Sequence, residues 1–195
     1  TDGYEAYNRI GEKEGIVHVG CLAHVRRKFD EASKVSGDSG SAMEFLSIIG
    51  QIYRVEKELR SDESLSKEEF LQQRRERAGP FLEKLKKKLK EKEQRVAPST
   101  ALGRAVNYTL EVLPRLVRYL DLHCLTPDNN AAERAIRPFV VGRKNWLFAD
   151  TPRGAHASAA FYSLIETAKS ASLEPYWYIR YVLQKLPYVE ETGEW

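Results

Sequence analysis

The amino-acid sequence predicts a mostly α-helical chain with few strands, and three observations predict it. Apolar residues recur at three- and four-residue spacing along most of the chain, as in Phe45, Ile48, Ile49, Ile52 and Leu59. Only one β-branched run in the first half, "GIVHVGC" at 15–21, has the composition of a strand. Helix-start chemistry recurs as well: "SKEE" at 66–69 and "NAAE" at 130–133 each set an acid three residues after a capping side chain.

Taken in order, residues 4–12 predict a short helix after an Asp2-Gly3 turn, and 15–21 the strand. A helical pattern runs from Leu22 to about Val35 and ends in "SGDSGS", a loop by composition. The apolar face from Phe45 to Leu59 makes the next helix, Ser61 to Ser66 interrupt, and Ser66 caps the helix after that. Residues 67–95 are dominated by Lys, Arg and Glu over a thin stripe of Phe81, Leu82, Leu85 and Leu89. They predict an exposed amphipathic helix or helix pair, peripheral to the core and interrupted at Gly79-Pro80. Its lysines alternate with acids, the pattern of a solvated face. Ser99 is the expected cap of a helix pointing Leu102, Val106, Leu110 and Leu113 inward, with Pro114 kinking or dividing it. The helix starting near Asn130 should be limited by Pro138, after which "VVGRKNWLF" at 140–148 reads as extended. Phe161, Leu164, Ile165 and Ala168 form one stripe, and a last helix spans about Glu174 to Leu186.

At 195 residues, 42% hydrophobic and 30% charged, the chain is neither disordered nor fibrous. No apolar run approaches membrane-spanning length and no secretory leader opens it. Two cysteines, Cys21 and Cys124, provide no disulfide framework and fit a reducing compartment, so a cytoplasmic protein is expected. Thr1 is not a methionine, and the opening reads as a piece of a longer chain. The net charge of +3 says little about partners; its distribution says more. Residues 134–149 hold Arg134, Arg137, Arg143 and Lys144 without an acid, and "HVRRKF" at 24–29 is a second basic cluster.

Several chemistries are absent: there is no phosphate-binding glycine loop, no dinucleotide fingerprint and no serine nucleophile elbow. Cys21-x-x-His24 is half of a zinc site, but Cys124, His123 and His156 supply no second pair at a familiar spacing. A packed cysteine at a strand-to-helix junction is the favoured reading. What remains are separated carboxylates, Asp2 and Glu133. Glu133 has two possible roles. Its spacing from Asn130 is that of a capping box, and a carboxylate at a helix start followed by basic residues also suits a hard divalent cation and a phosphate substrate. Two such ions about 3.5–4 Å apart clamp the attacking and leaving oxygens of a phosphodiester.

The blocks "TDGYEAY" at 1–7, "GCLAHVRRKF" at 20–29, "DNNAAERAIRPFVVGRKNWLF" at 128–148 and "YSLIETAK" at 162–169 resemble the C-terminal catalytic region of the insertion sequence 66 family of bacterial transposases. They occur in the family's order across nearly the whole chain. The resemblance implies a DDE-type DNA transposase on a ribonuclease-H-like α/β fold. Such an enzyme uses divalent metal, Mg²⁺ or Mn²⁺, to cut and join DNA, and assembles as an oligomer on the element's ends. It implies that Asp2 is the second catalytic acid and Glu133 the third, both as metal ligands. Arg137, Arg143 and Lys144 become candidates for DNA phosphates, and Trp146 for base stacking or core. The family's first Asp and first strands lie upstream of the matching residues, so none here is assigned to them. The expected partition is a partial ribonuclease-H-like core at 1–36, a helical insertion at 37–125 and C-terminal core helices at 126–195. The alternative reading is a non-catalytic remnant, a helical module that binds DNA or partner subunits.

Overall fold

The computed structural model describes residues 6–35, 39–146 and 149–192, leaving the side chains of 6–7, 143–146 and 189–192 outside the description. The chain divides into two compact units, Thr1–Asn130 and Ala131–Trp195. The first contains α1 (Ala6–Gly11), α2 (Leu22–Ser33), α3 (Ser39–Ser61), α4 (Lys67–Glu93) and α5 (Ala101–Leu116), with a 3-10 turn at Val117–Asp121. The second contains α6 from Ala131 onward (Asn130–Trp146), α7 (Pro152–Ser170) and α8 (Pro175–Thr192). Among the described residues no helix is long and apolar enough to cross a membrane.

Helices α2 to α5 each pack on two neighbours in the cyclic order α2–α3–α4–α5, which makes a four-helix bundle. The predicted apolar face of α3 puts Phe45, Ile48, Ile49 and Ile52 in the bundle's main core, and Leu59 is buried in a second cluster with Val55, Phe70 and Ala78. Phe29 of α2 stacks on Phe45, ring centres 4.4 Å apart and 19° from parallel. Burial of one such side chain contributes about 1.5–3 kcal/mol. Leu102, Val106 and Leu113 of α5 close the core as predicted, with Leu110 half-buried beside them.

Four expectations in this unit are corrected. The run at 15–21 forms no strand. It reaches Cys21 in extended conformation, but its hydrogen bonds go to helical and loop neighbours, Gly20 N–H donating to the Arg115 carbonyl at 3.0 Å. No strand exists among the described residues to pair with it, and a strand is stable only in a ladder. The "SGDSGS" loop is shorter than expected, because α3 already begins at Ser39; residues 36–38 lie outside the description. The cap of α5 is Thr100 rather than Ser99: its Oγ1 accepts the Gly103 N–H at 2.9 Å.

The fourth correction concerns α4, which is neither interrupted nor peripheral. It runs unbroken from its Ser66–Glu69 capping box through Gly79-Pro80 to Glu93. Proline inside a helix costs about 3 kcal/mol. Here the helix is held on both sides of it, by Phe70, Arg74 and Ala78 before and Leu82, Leu85 and Leu89 after, all buried. That burial outweighs one lost backbone bond. The lysines do lie outside: Lys86 and Lys87 are exposed, while Lys88 pairs with Glu44 of α3.

In the second unit α7 packs on α8, and Phe139 of α6 meets Tyr162 of α7 edge-on at 5.1 Å and 79°. Here α6 corrects two expectations, since it continues through Pro138 and makes "VVGRKNW" helical as far as Trp146. Its Ala132, Ala135, Ile136 and Phe139 line an open groove with Ala159 and Tyr162 of α7, and Ile136 is 58% exposed there. Ala168 is buried and Leu164 and Ile165 half-buried, but Phe161 is 45% exposed. Tyr162 takes the place facing Phe139, and adjacent helical residues point about 100° apart. The last helix is longer than predicted and carries Pro187 inside it.

Candidate functional site

The segment that leads to Glu133 is fixed by a buried charge cluster. Arg74 is fully buried in the bundle and all five of its N–H groups are matched. Nε and Nη2 donate to the two oxygens of Glu56 at 3.1 and 2.7 Å. Nη1 donates to the carbonyls of Tyr119 and Leu122 at 2.8 and 2.9 Å, and Nη2 also to that of Leu125 at 2.9 Å. Arg60 shares Glu56 at 2.8 Å and holds the His123 and Leu125 carbonyls at 2.9 and 2.8 Å. Two arginines thus satisfy the carbonyls where the 3-10 turn ends and the chain turns toward α6. The Arg74 guanidinium also lies over the Phe70 ring at 4.5 Å.

Beyond this clamp, Pro127 accepts the Leu22 N–H at 2.8 Å, which joins the loop to the start of α2. Asp128 then organises the helix entry: its Oδ1 accepts the Asn130 N–H at 3.0 Å. This corrects the capping box in part, because the Asn130 N–H expected to receive Glu133 is engaged by Asp128. Burial first, then the facing Asp128 carboxylate, push the Tyr53 hydroxyl above the ordinary tyrosine range. A phenol so held keeps its proton and is a poor nucleophile. Sequence reasoning missed Asp128 and Tyr53. The signal for Asp128 was present: an Asp two residues before a helix bonds the backbone locally.

Glu133 lies in the first turn of α6, half-buried. Arg134 and Arg137 follow it on the same helix and are exposed, Arg137 one turn onward. Asp2 lies outside the described residues, as do the side chains of Arg143, Lys144 and Trp146. Cys21 is buried at the entry to α2, with no strand before it among the described residues, and Cys124 is exposed.

Residues 1–157 match the family described as "Transposase IS66 family". The chain belongs to the IS66 transposase family. Residues 163–193 match a second description, "IS66 C-terminal element", so the two matches span almost the whole chain. An uncharacterized protein of Sinorhizobium fredii (strain NBRC 101917 / NGR234), y4jD, is 32% identical over 192 residues, 95% of this chain and 37% of that protein. A second from the same strain, y4qI, is 31% identical over 182 residues, covering 90% of this chain and 33% of its own length. A third, y4hP, is 28% identical over 177 residues, 85% of this chain and 32% of its own. The chain therefore spans about a third of the length of these curated relatives. No solved structure matches it.

Proposed function

We propose that this chain is the part of a DDE-type DNA transposase that carries two of its three metal-binding acids, Asp2 and Glu133, on a ribonuclease-H-like fold. Membership of the IS66 family supports the reading. The observation that carries it is the placement of Glu133: a half-buried carboxylate in the first turn of a helix that turns basic immediately after it.

The residues fit a hard divalent cation. Asp2 and Glu133 are oxygen donors of the kind Mg²⁺ and Mn²⁺ take, and Glu133 is reachable from solvent. When bound, the ions lower the barrier to phosphodiester attack by polarising the phosphoryl oxygens and the attacking oxygen. Glu133 and Asp2 hold the ions. Arg137, Arg143 and Lys144 hold backbone phosphates, which sets the register of the DNA on α6. The enzyme works as a homo-oligomer that brings two element ends together, with DNA as substrate in cutting and in joining.

Manganese binding to the full-length protein tests the assignment without relying on catalysis. Calorimetry should show weaker Mn²⁺ binding for Asp2→Asn and for Glu133→Gln, with circular dichroism unchanged. Binding unaffected by either substitution would overturn the ligand roles.

A further inference from the structure

The first unit carries an open groove of about 550 Å³ between α2, α3 and the entry to α6. Ala23 and Gly50 are the small residues of its lining, and its polar lining comes from Arg26, Arg27, Asp30, Tyr53, Asp128 and Asn130. Both acids are already engaged. Asp30 is paired with Lys34 at 2.7 Å, which holds its carboxyl below the usual range. Asp128 accepts the Asn130 N–H and faces the Tyr53 hydroxyl. Arg26 and Arg27 are exposed and make no hydrogen bond or ion pair among the described residues. The groove therefore presents two planar forks of N–H donors whose neighbouring acids are spoken for, the donor geometry that suits a phosphodiester.

We propose that Arg26 and Arg27, with the Asn130 side chain, form a binding site for a backbone phosphate of DNA, separate from the basic residues of α6. Asn130 stands one helical turn before Glu133, so a phosphate held there places its strand at the start of the candidate catalytic helix. The site rests on the DNA reading above and adds a second anchoring point to it. Arg26 and Arg27 fix position rather than chemistry, since phosphate contacts set register without reading sequence.

Fluorescence anisotropy of a labelled DNA duplex across a salt series, with the 195-residue chain, tests the site. The double variant Arg26→Gln/Arg27→Gln should weaken binding roughly tenfold to a hundredfold at low salt and reduce the slope of log K against log salt by about 2. A double variant of equal charge change on α4, Lys86→Gln/Lys87→Gln, should leave both quantities near wild type. Inorganic phosphate at matched ionic strength should compete poorly, because it engages one contact of many. Wild-type affinity and slope in the arginine variant would overturn this site while leaving the proposed function standing. An equal loss in the lysine variant would reduce the effect to net charge and overturn it too. No DNA binding by the wild-type chain would overturn both the site and the DNA reading. Strong competition by free phosphate would overturn the site as a DNA contact and reassign the groove to a small anion.

Discussion

Arg74 shows how a residue can be misplaced by composition and recovered by spacing. It sits in "LQQRRERAG", a stretch whose charges suggest solvent, yet it is fully buried. Phe70, Arg74, Ala78, Leu82, Leu85 and Leu89 succeed one another at steps of three or four, so the stripe was legible had Arg been admitted to it. What the sequence lacked was the partner, Glu56, 18 positions earlier and also buried. A buried pair is costly to break, because removal of one member strands the other charge. Glu56→Ala should therefore destabilise the bundle by about 3–5 kcal/mol, read as a fall in urea midpoint with unchanged m-value. A shift of only a few tenths would mean that water reaches Arg74. His18 makes a second prediction at this scale. Burial first, and then the Arg115 guanidinium, depress its pKa, so the unfolded chain binds a proton more readily than the folded one. Stability should fall as pH drops below about 6.5, the ordinary histidine value. Melting temperatures at pH 7.5 and 5.5 should differ, and His18→Gln should narrow the difference.

At the scale of elements, the places where prolines stand decided which boundaries were read correctly. Gly79-Pro80 and Pro138 both predicted interruptions, and both lie inside continuous helices. Local chemistry argued for a break; at Pro80 burial on both sides overrode it, and packing is not visible from a window of residues. Where the local signal itself closes the bonding, sequence and structure agree: the Ser66–Glu69 capping box forms in both directions, with bonds of 3.2 and 2.9 Å. Pro80 is exposed, at the edge of a groove it lines with Leu113 and Pro114 of α5. Pro80→Ala should restore the missing backbone donor and stabilise the protein by about 1–3 kcal/mol. A rise in melting temperature of α4 and the whole bundle together is the expected result. A fall would show that the proline shapes the helix for its packing against α5.

Across the whole molecule, the helical class was legible because amphipathic periodicity survives in single segments, while the closure of α2 to α5 into one bundle depends on contacts between distant segments. The site was legible in a different way. Glu133 stood out through its motif and its basic successors, but the groove of Arg26, Arg27 and Asn130 requires residues more than a hundred positions apart. Asp128 accepts the Asn130 N–H that a capping box would give to Glu133. The two roles of Glu133 are separable by one substitution. Glu133→Gln keeps side-chain size and helix propensity and removes the negative charge a hard cation needs. The decisive measurement is the DNA cleavage rate of the full-length protein carrying Glu133→Gln, alongside its melting temperature and its DNA affinity without metal. With Glu133 as a metal ligand, cleavage falls by orders of magnitude, the fold is retained, and affinity is unchanged or slightly raised by the loss of an acid near the phosphates. A folded Glu133→Gln protein that cleaves at the wild-type rate would contradict the ligand role and leave Glu133 a structural residue of α6.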